Sequence, residues 1–296
     1  MTPEAWLFHN SFQPSPDAPA MLRNAKEKIG VCVLARNASN TIGRHLLLLQ
    51  HGWPGGTAPW HELIVADLGS TDGTVEISRE QAARISEPRE KLVASIEPPA
   101  DGDGLARALA MTESDILLVV PADLIRLDLP SAATLLARLV ENPELALCLG
   151  AATAEGGPLS TLGTRPVLAA LLPELALLSD PTTPLFALRT ALIRDLPLAG
   201  TSGYECALVA ACHLRLGLGS IGQVKVPSLE WNETDPRLDA GRAFRSVVAL
   251  LETLREAKRI TTDRELGHLL PRPREWSDAS PRVLTTLEVF RWKGKT

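Results

Sequence analysis

Short runs of aliphatic and β-branched residues alternate, through the first half of the chain, with stretches whose apolar side chains recur at helical spacing. The runs at 29–34 (IGVCVL), 62–66 (ELIVA), 91–96 (KLVASI) and 116–120 (ILLVV) are continuous rather than alternating. That is the pattern of strands buried on both faces. Between them lie helical stretches at 39–50, with Ser39 or Asn40 as cap, at 71–86 and at 105–112. Strands separated by helices predict an α/β fold with a mostly parallel central sheet flanked by helices.

The second half reads as helix 131–140, strand 145–150, a turn at 155–158, helix 165–178 broken by Pro173, and strand 185–188. Helix 205–216, strand 221–226 and a long amphipathic helix over 242–258 follow. Residues 271–275 form a linker, and a last helical piece carries Trp276 and Trp292. The prolines of residues 1–27 suggest a loose arm lying against the domain. The division expected is an arm at 1–27, a main domain at 28–240 (halves 28–125 and 126–240), and a helical extension at 241–296.

At 296 residues, 45% hydrophobic and 22% charged, the chain suits a soluble globular protein with a sizeable core. A formal charge of −5 supplies no basic field, which argues against nucleic acid as partner. No run approaches the ~20 apolar residues of a membrane span, and the N-terminus lacks the pattern of a signal peptide. The four cysteines sit in apolar runs without zinc-like pairing, as buried thiols of a reducing cytoplasm would. A cytoplasmic protein is the expectation.

Ligands of open α/β sheets sit beyond the carboxyl ends of the strands. Three loops therefore matter: Ala35-Arg36-Asn37-Ala38, the stretch DLGSTDGT at 67–74, and Pro121-Ala122-Asp123. A carboxylate at a strand end, followed by Gly, Ser and a helix start, can bind a nucleoside while presenting free backbone N–H groups. Alternatively, Asp67 and Asp72 only cap the next turn and helix.

Taken together, VCVLARNASNTIGRHL, ELIVADLGSTDGTVEI and SDILLVVPADL resemble, in order and spacing, the motif blocks of GT-A fold glycosyltransferases. RPVLAALLPEL (165–175) and TSGYECALVAACHLRLGLGSIGQVKV (201–226) are similar to segments of glucosyl-3-phosphoglycerate synthases. The resemblance covers roughly residues 28–255. It implies retaining transfer of a sugar from a UDP- or GDP-sugar to a small polar acceptor such as a phosphoglycerate-like acid, with Mg2+ or Mn2+, in a homodimer. On the matching positions it implies Ala35, Arg36, Asn37, Asp67, Ser70 and Ala122 around the nucleotide, and Asp123 on the metal. Glu205 falls in the sugar pocket, and Gly157, Ser160 and Asn232 face the acceptor.

Several positions depart from the family pattern. Its Asp-x-Asp metal motif is here Pro121-Ala122-Asp123, and its metal-binding histidine falls at Glu230-Trp231-Asn232. Glu230 is then either a replacement oxygen ligand or a solvated surface carboxylate. The stretch 100–104 lacks the family's lysine, Ala38 stands for a glutamate, and Pro158 lies where a basic residue would meet the acceptor. Glu205 is alternatively a carboxylate favoured by its helix N-terminus. The competing function is a degenerate GT-A protein that binds a nucleotide or a protein partner without turnover. A sugar-phosphate nucleotidyltransferase would need a glycine-rich basic N-terminal loop, which LARNASN is not.

Overall fold

The computed structural model describes residues 2–84, 90–95, 104–152, 159–196, 203–227, 229, 236–261 and 291–292. The expectations for Gly157, Pro158, Glu230, Asn232, Trp276 and the linker 271–275 lie outside them. The chain opens with α1 (Pro3–His9), β1 (Ser11–Phe12) and α2 (Ala18–Arg23). It continues with β2 (Ile29–Ala35), α3 (Ile42–His51), β3 (Glu62–Asp67), α4 (Thr74–Ala83), β4 (Glu90–Ser95), α5 (Gly104–Met111) and β5 (Ile116–Pro121). Then come α6 (Leu129–Glu141), β6 (Leu147–Ala152), a π-helical turn (Leu159–Thr164), α7 (Arg165–Leu171) and a 3-10 turn (Pro173–Leu177). The last elements of the main body are β7 (Phe186–Arg189), α8 (Thr190–Ile193), α9 (Tyr204–Leu216), β8 (Ile221–Val226) and α10 (Pro236–Glu256).

Eight strands form one sheet in the order β1-β8-β6-β7-β5-β2-β3-β4. Every pairing is parallel except those of β7, which runs antiparallel to both β5 and β6. Side chains of a strand point alternately to the two faces, and the continuous apolar runs therefore feed two cores. Val31, Val33, Val65, Leu118 and Val120 join Ile42, Leu46 and Leu49 of α3 and Leu135, Leu136 and Leu139 of α6. Cys32, Ile64, Leu117 and Val119 join Leu105 and Leu109 of α5, Leu208 and Val209 of α9, and Leu250 and Leu254 of α10. Each large side chain buried this way contributes about 1.5–3 kcal/mol. The expected parallel centre is therefore present as β4-β3-β2-β5.

Three differences from the expectation have physical causes. The N-terminal arm is not loose. Pro3 sits in the first turn of α1, where its missing N–H costs nothing, and Thr2 caps that helix by accepting from the Ala5 N–H at 3.2 Å. Trp6 is buried, with its Nε1–H on the Ile221 carbonyl at 3.0 Å, and β1 adds a parallel edge strand to β8.

Second, α3 starts at Ile42 with Thr41 in the cap position, not Ser39 or Asn40. The Ser39 N–H is drawn to Asp72, and the Thr41 hydroxyl donates to the carbonyls of Ala38 and Ala122. These groups tie loops together instead of capping.

Third, Arg291–Trp292 form a strand, β10, paired antiparallel with β9 (Ile260–Thr261), where a helical piece was expected. Ile260 and Thr261 are β-branched and suit that pairing. The proline break after 171 is present, and α10 runs unbroken through the division expected at 240. On α10, Val248, Ala249, Leu250 and Leu254 are buried within the chain.

All four cysteines are free and buried, and burial pushes the Cys32 and Cys148 thiols up to about 12. Among the described residues no helix is long and apolar enough to cross a membrane.

Candidate active site

The register of the sheet puts the three loops side by side. Ala35 pairs with Asp67, and Leu34 pairs with Pro121. With neighbouring strands about 4.8 Å apart, the ends of β3, β2 and β5 present one continuous rim. Hydrogen bonds then lace the loops. The Asn37 N–H donates to Ser70 Oγ at 2.8 Å, and the Thr71 N–H returns to Asn37 Oδ1 at 2.9 Å. The Ala38 N–H donates to Thr74 Oγ1 at 2.8 Å, and the Ser39 N–H to Asp72 Oδ2 at 3.0 Å. On the other side the Ala122 N–H meets the Leu34 carbonyl at 2.8 Å. Asn37 adopts φ 49°, a left-handed conformation that asparagine tolerates better than most side chains.

Within this rim Asp67 is an organiser. It is buried, and its carboxylate accepts from the N–H groups of Gly69 (3.2 Å) and Ser70 (3.0 Å) and from the Ser70 hydroxyl. The turn-capping role is thus present, and it is what holds Ser70 against Asn37. Asp67→Ala removes acceptors for two backbone donors and is expected to destabilise the fold by about 2–3 kcal/mol. Urea unfolding with an unchanged m-value would register it; a shift below about 0.5 kcal/mol would mean the loop holds itself. Ala35 and Ala122 are buried, so their contribution is backbone and shape, whereas Arg36 and Asn37 are exposed on the rim.

Glu205 arrives from the other half, in the first turn of α9. Burial raises its carboxyl to about 7; Arg242 opposes the shift, and Asp180 and Asp123 reinforce it. These four side chains therefore share one electrostatic neighbourhood. Burial also raises Asp123, again against Arg242, whose Nη2 lies 3.8 Å from Asp123 Oδ2.

Arg242 is on α10, and two glycines set the depth of that helix. A Cβ at Gly163 would meet the Ala243 Cβ at 3.1 Å, and one at Gly203 would meet Ser246 Oγ at 2.3 Å and the Ser246 N at 2.7 Å. Gly203 also has φ +95°, a backbone conformation that disfavours any side chain. Gly203→Ala is expected to destabilise by about 3 kcal/mol or more. Thermal melting would check it; an unchanged midpoint would deny the close packing.

Ser160, the described member of the expected acceptor set, lies in the π-helical turn that packs against α10. Its hydroxyl is buried without a hydrogen-bond partner, as are those of Thr164, Tyr204 and Ser246. Gly157, Asn232 and Glu230 lie outside the described residues. Sequence reasoning missed the roles of Arg242 and Asp180, which stand in no motif and reach the site only through tertiary packing.

Among the described residues the donor set does not fit a divalent ion. Pro121, the last residue of β5, offers no side-chain ligand atom, and Asp123 faces a guanidinium. Among the described residues no group of three or more His, Cys, Asp or Glu side chains could hold a metal.

The strand order and the laced strand-end loops make this a GT-A glycosyltransferase, the class that takes sugars from nucleotide sugars. No family model matches the sequence, but individual relatives do. The glucosyl-3-phosphoglycerate synthase of Mycolicibacterium paratuberculosis is 30% identical over 264 residues, 84% of this chain and 79% of that one. That of Mycolicibacterium smegmatis is 32% identical over 260 residues, covering 83% and 84%. The chain belongs to the glucosyl-3-phosphoglycerate synthase family. Among solved structures, the Mycobacterium tuberculosis enzyme in complex with phosphoglyceric acid superposes with a TM-score of 0.72 at 26% identity, over 82% of this chain and 87% of that one. The same enzyme with Mn2+, UDP-glucose and phosphoglyceric acid gives 0.67 at 27% identity, over 78% and 82%.

Proposed function

We propose that the chain transfers a sugar, with retention, from a UDP- or GDP-sugar to a hydroxyl of a small phosphorylated acid of the phosphoglycerate kind. The observation that carries this reading is the rim on which Asn37, Asp67 and Ser70 are hydrogen-bonded together, beside the end of β5 that leads into Asp123. Arg36 and the backbone at 35–37 would line the nucleoside and diphosphate. Glu205 would accept from sugar hydroxyls, and Ser160, with Gly157 and Asn232, would meet the acceptor.

In the transfer, the bond from sugar C1 to the diphosphate oxygen breaks and a bond from C1 to the acceptor oxygen forms on the same face. The departing diphosphate can itself take the acceptor proton, so no separate base is required. The products are a nucleoside diphosphate and the glycosylated acid. Mn2+ is bound by the Mycobacterium tuberculosis relative. Here, of the residues expected at that site, Asp123 lies beside a guanidinium and Glu230 lies outside the described residues.

The test is incubation with UDP-glucose or GDP-glucose and 3-phosphoglycerate, reading the nucleoside diphosphate released and the anomeric configuration of the product by proton NMR. Retained configuration supports the reading, and an inverted product overturns it. A second reading, nucleotide binding without turnover, is favoured by Pro121, which removes a carboxylate from the motif. Nucleotide binding with neither sugar transferred would select it. The same proposal takes the protein to be a cytoplasmic homodimer, and a monomer by light scattering at micromolar concentration would remove the dimer.

A further inference from the structure

We infer that Arg242 stands in for the divalent ion: its guanidinium, held beside Asp123, binds the diphosphate of the donor, and the donor is held without metal. This rests on the glycosyltransferase reading above.

Four observations converge on it. First, the motif that would supply two carboxylates supplies one, because Pro121 has no side-chain ligand atom. Second, the surviving Asp123 already faces a positive charge. The Arg242–Asp123 separation of 3.8 Å is longer than a hydrogen bond, and the two side chains are 47% and 44% exposed. The guanidinium is therefore oriented by the carboxylate, and among the described residues no hydrogen bond is drawn from its N–H donors. A divalent ion on Asp123 would meet that like charge at close range. Third, Arg242 is placed by the backbone. Ala243 packs on Gly163 and Ser246 packs on Gly203. Arg242 and Ser246, four apart, share one helix face, which brings the guanidinium to the side of α10 nearest Glu205. Fourth, the neighbourhood of Asp123, Asp180 and Glu205 is acidic, and Arg242 is the cation felt at both Asp123 and Glu205. An incoming diphosphate needs such a cation. The planar guanidinium binds phosphate oxygens in pairs, as a metal would bridge them.

The test is calorimetric titration of the full chain with UDP and GDP, in EDTA and again in Mn2+. One of the two nucleotides is expected to bind in EDTA, and Mn2+ is expected to change its Kd by less than roughly threefold. Arg242→Ala should weaken that nucleotide by roughly 10- to 100-fold in EDTA, the loss of a charge-assisted phosphate contact. Arg242→Lys should restore part of the affinity, and it keeps the test open if the alanine variant melts early. Binding of the matching nucleoside, which lacks phosphates, should not respond to either change.

Nucleotide binding that requires Mn2+, or that ignores Arg242, overturns this inference and leaves the transferase reading standing. A loss confined to 3-phosphoglycerate would move Arg242 to the acceptor and overturn it as well. If neither nucleotide binds under either condition, both readings fall.

Discussion

Glu205→Gln is expected to slow sugar transfer by roughly 10- to 100-fold, the worth of a hydrogen bond to a charged group, and to flatten its pH profile. In the role proposed for it, Glu205 would accept from sugar hydroxyls best as a carboxylate. Burial, helped by Asp180 and Asp123 and opposed by Arg242, puts its pKa at about 7. Wild-type activity should therefore rise as pH increases through 7 and level off above it, while the glutamine variant stays low throughout.

The same shift has a stability counterpart of definite sign. The folded state holds this proton more tightly than an ordinary carboxyl of pKa 4.5, so the contribution is present below about 4.5 and is lost as pH rises through 7. Glutamine carries no such penalty. The variant should match the wild type near pH 4.5 and exceed it at pH 8 by about 2–3 kcal/mol, allowing for partial exposure. Denaturant midpoints at the two pH values decide this. An equal gap at both would show that Glu205 titrates alike in the folded and unfolded chain and that its burial is inconsequential.

The second large effect is expected at the N-terminus. Trp6 is 1% exposed, packs in the core shared by α9 and α10, and donates to the Ile221 carbonyl. Trp6→Ala combines lost burial with a cavity and should cost about 3–5 kcal/mol. Trp6→Phe, which keeps most of the ring volume but not the N–H, should cost less, about 1–2 kcal/mol. Asn10 Nδ2 also donates to that carbonyl, at 2.8 Å, so the carbonyl keeps one partner in either variant. Equilibrium unfolding in urea would measure both. An alanine variant within 1 kcal/mol of wild type would return residues 2–12 to the loose arm that their prolines suggest.

How much of this was legible beforehand depends on what each residue answers to. The four central strands could be read because doubly covered parallel strands require continuous apolar runs, and 62–66 and 116–120 contain little else. The rim loops could be read because strand ends, glycines and capping side chains carry local signatures around Asn37, Asp67 and Ser70. Trp6 could not, since nothing between Pro3 and Pro14 tells its indole from the rings of Phe8 and Phe12, and its partner is a distant backbone carbonyl. The apolar stripe of α10 was visible, but a stripe does not say whether it faces the same chain or another copy. Arg242 looks like any solvated arginine on a polar helix face. Only the closeness of Ala243 to Gly163 and of Ser246 to Gly203, a property of packing rather than of local sequence, carries it to Asp123.

The edge pairing of β1 with β8 also sets a timetable. Trp6 and its carbonyl partner on Ile221 are 215 positions apart, and at ribosomal rates that interval is roughly 10 to 40 seconds of synthesis. Helix α1 therefore leaves the ribosome with its indole uncovered and waits until β8, the last strand of that sheet in chain order, has emerged. The central strands β2, β3 and β5 can associate long before that. Docking of the N-terminal segment is then a closing step, one in which a chaperone holding an exposed aromatic would compete directly with the sheet edge.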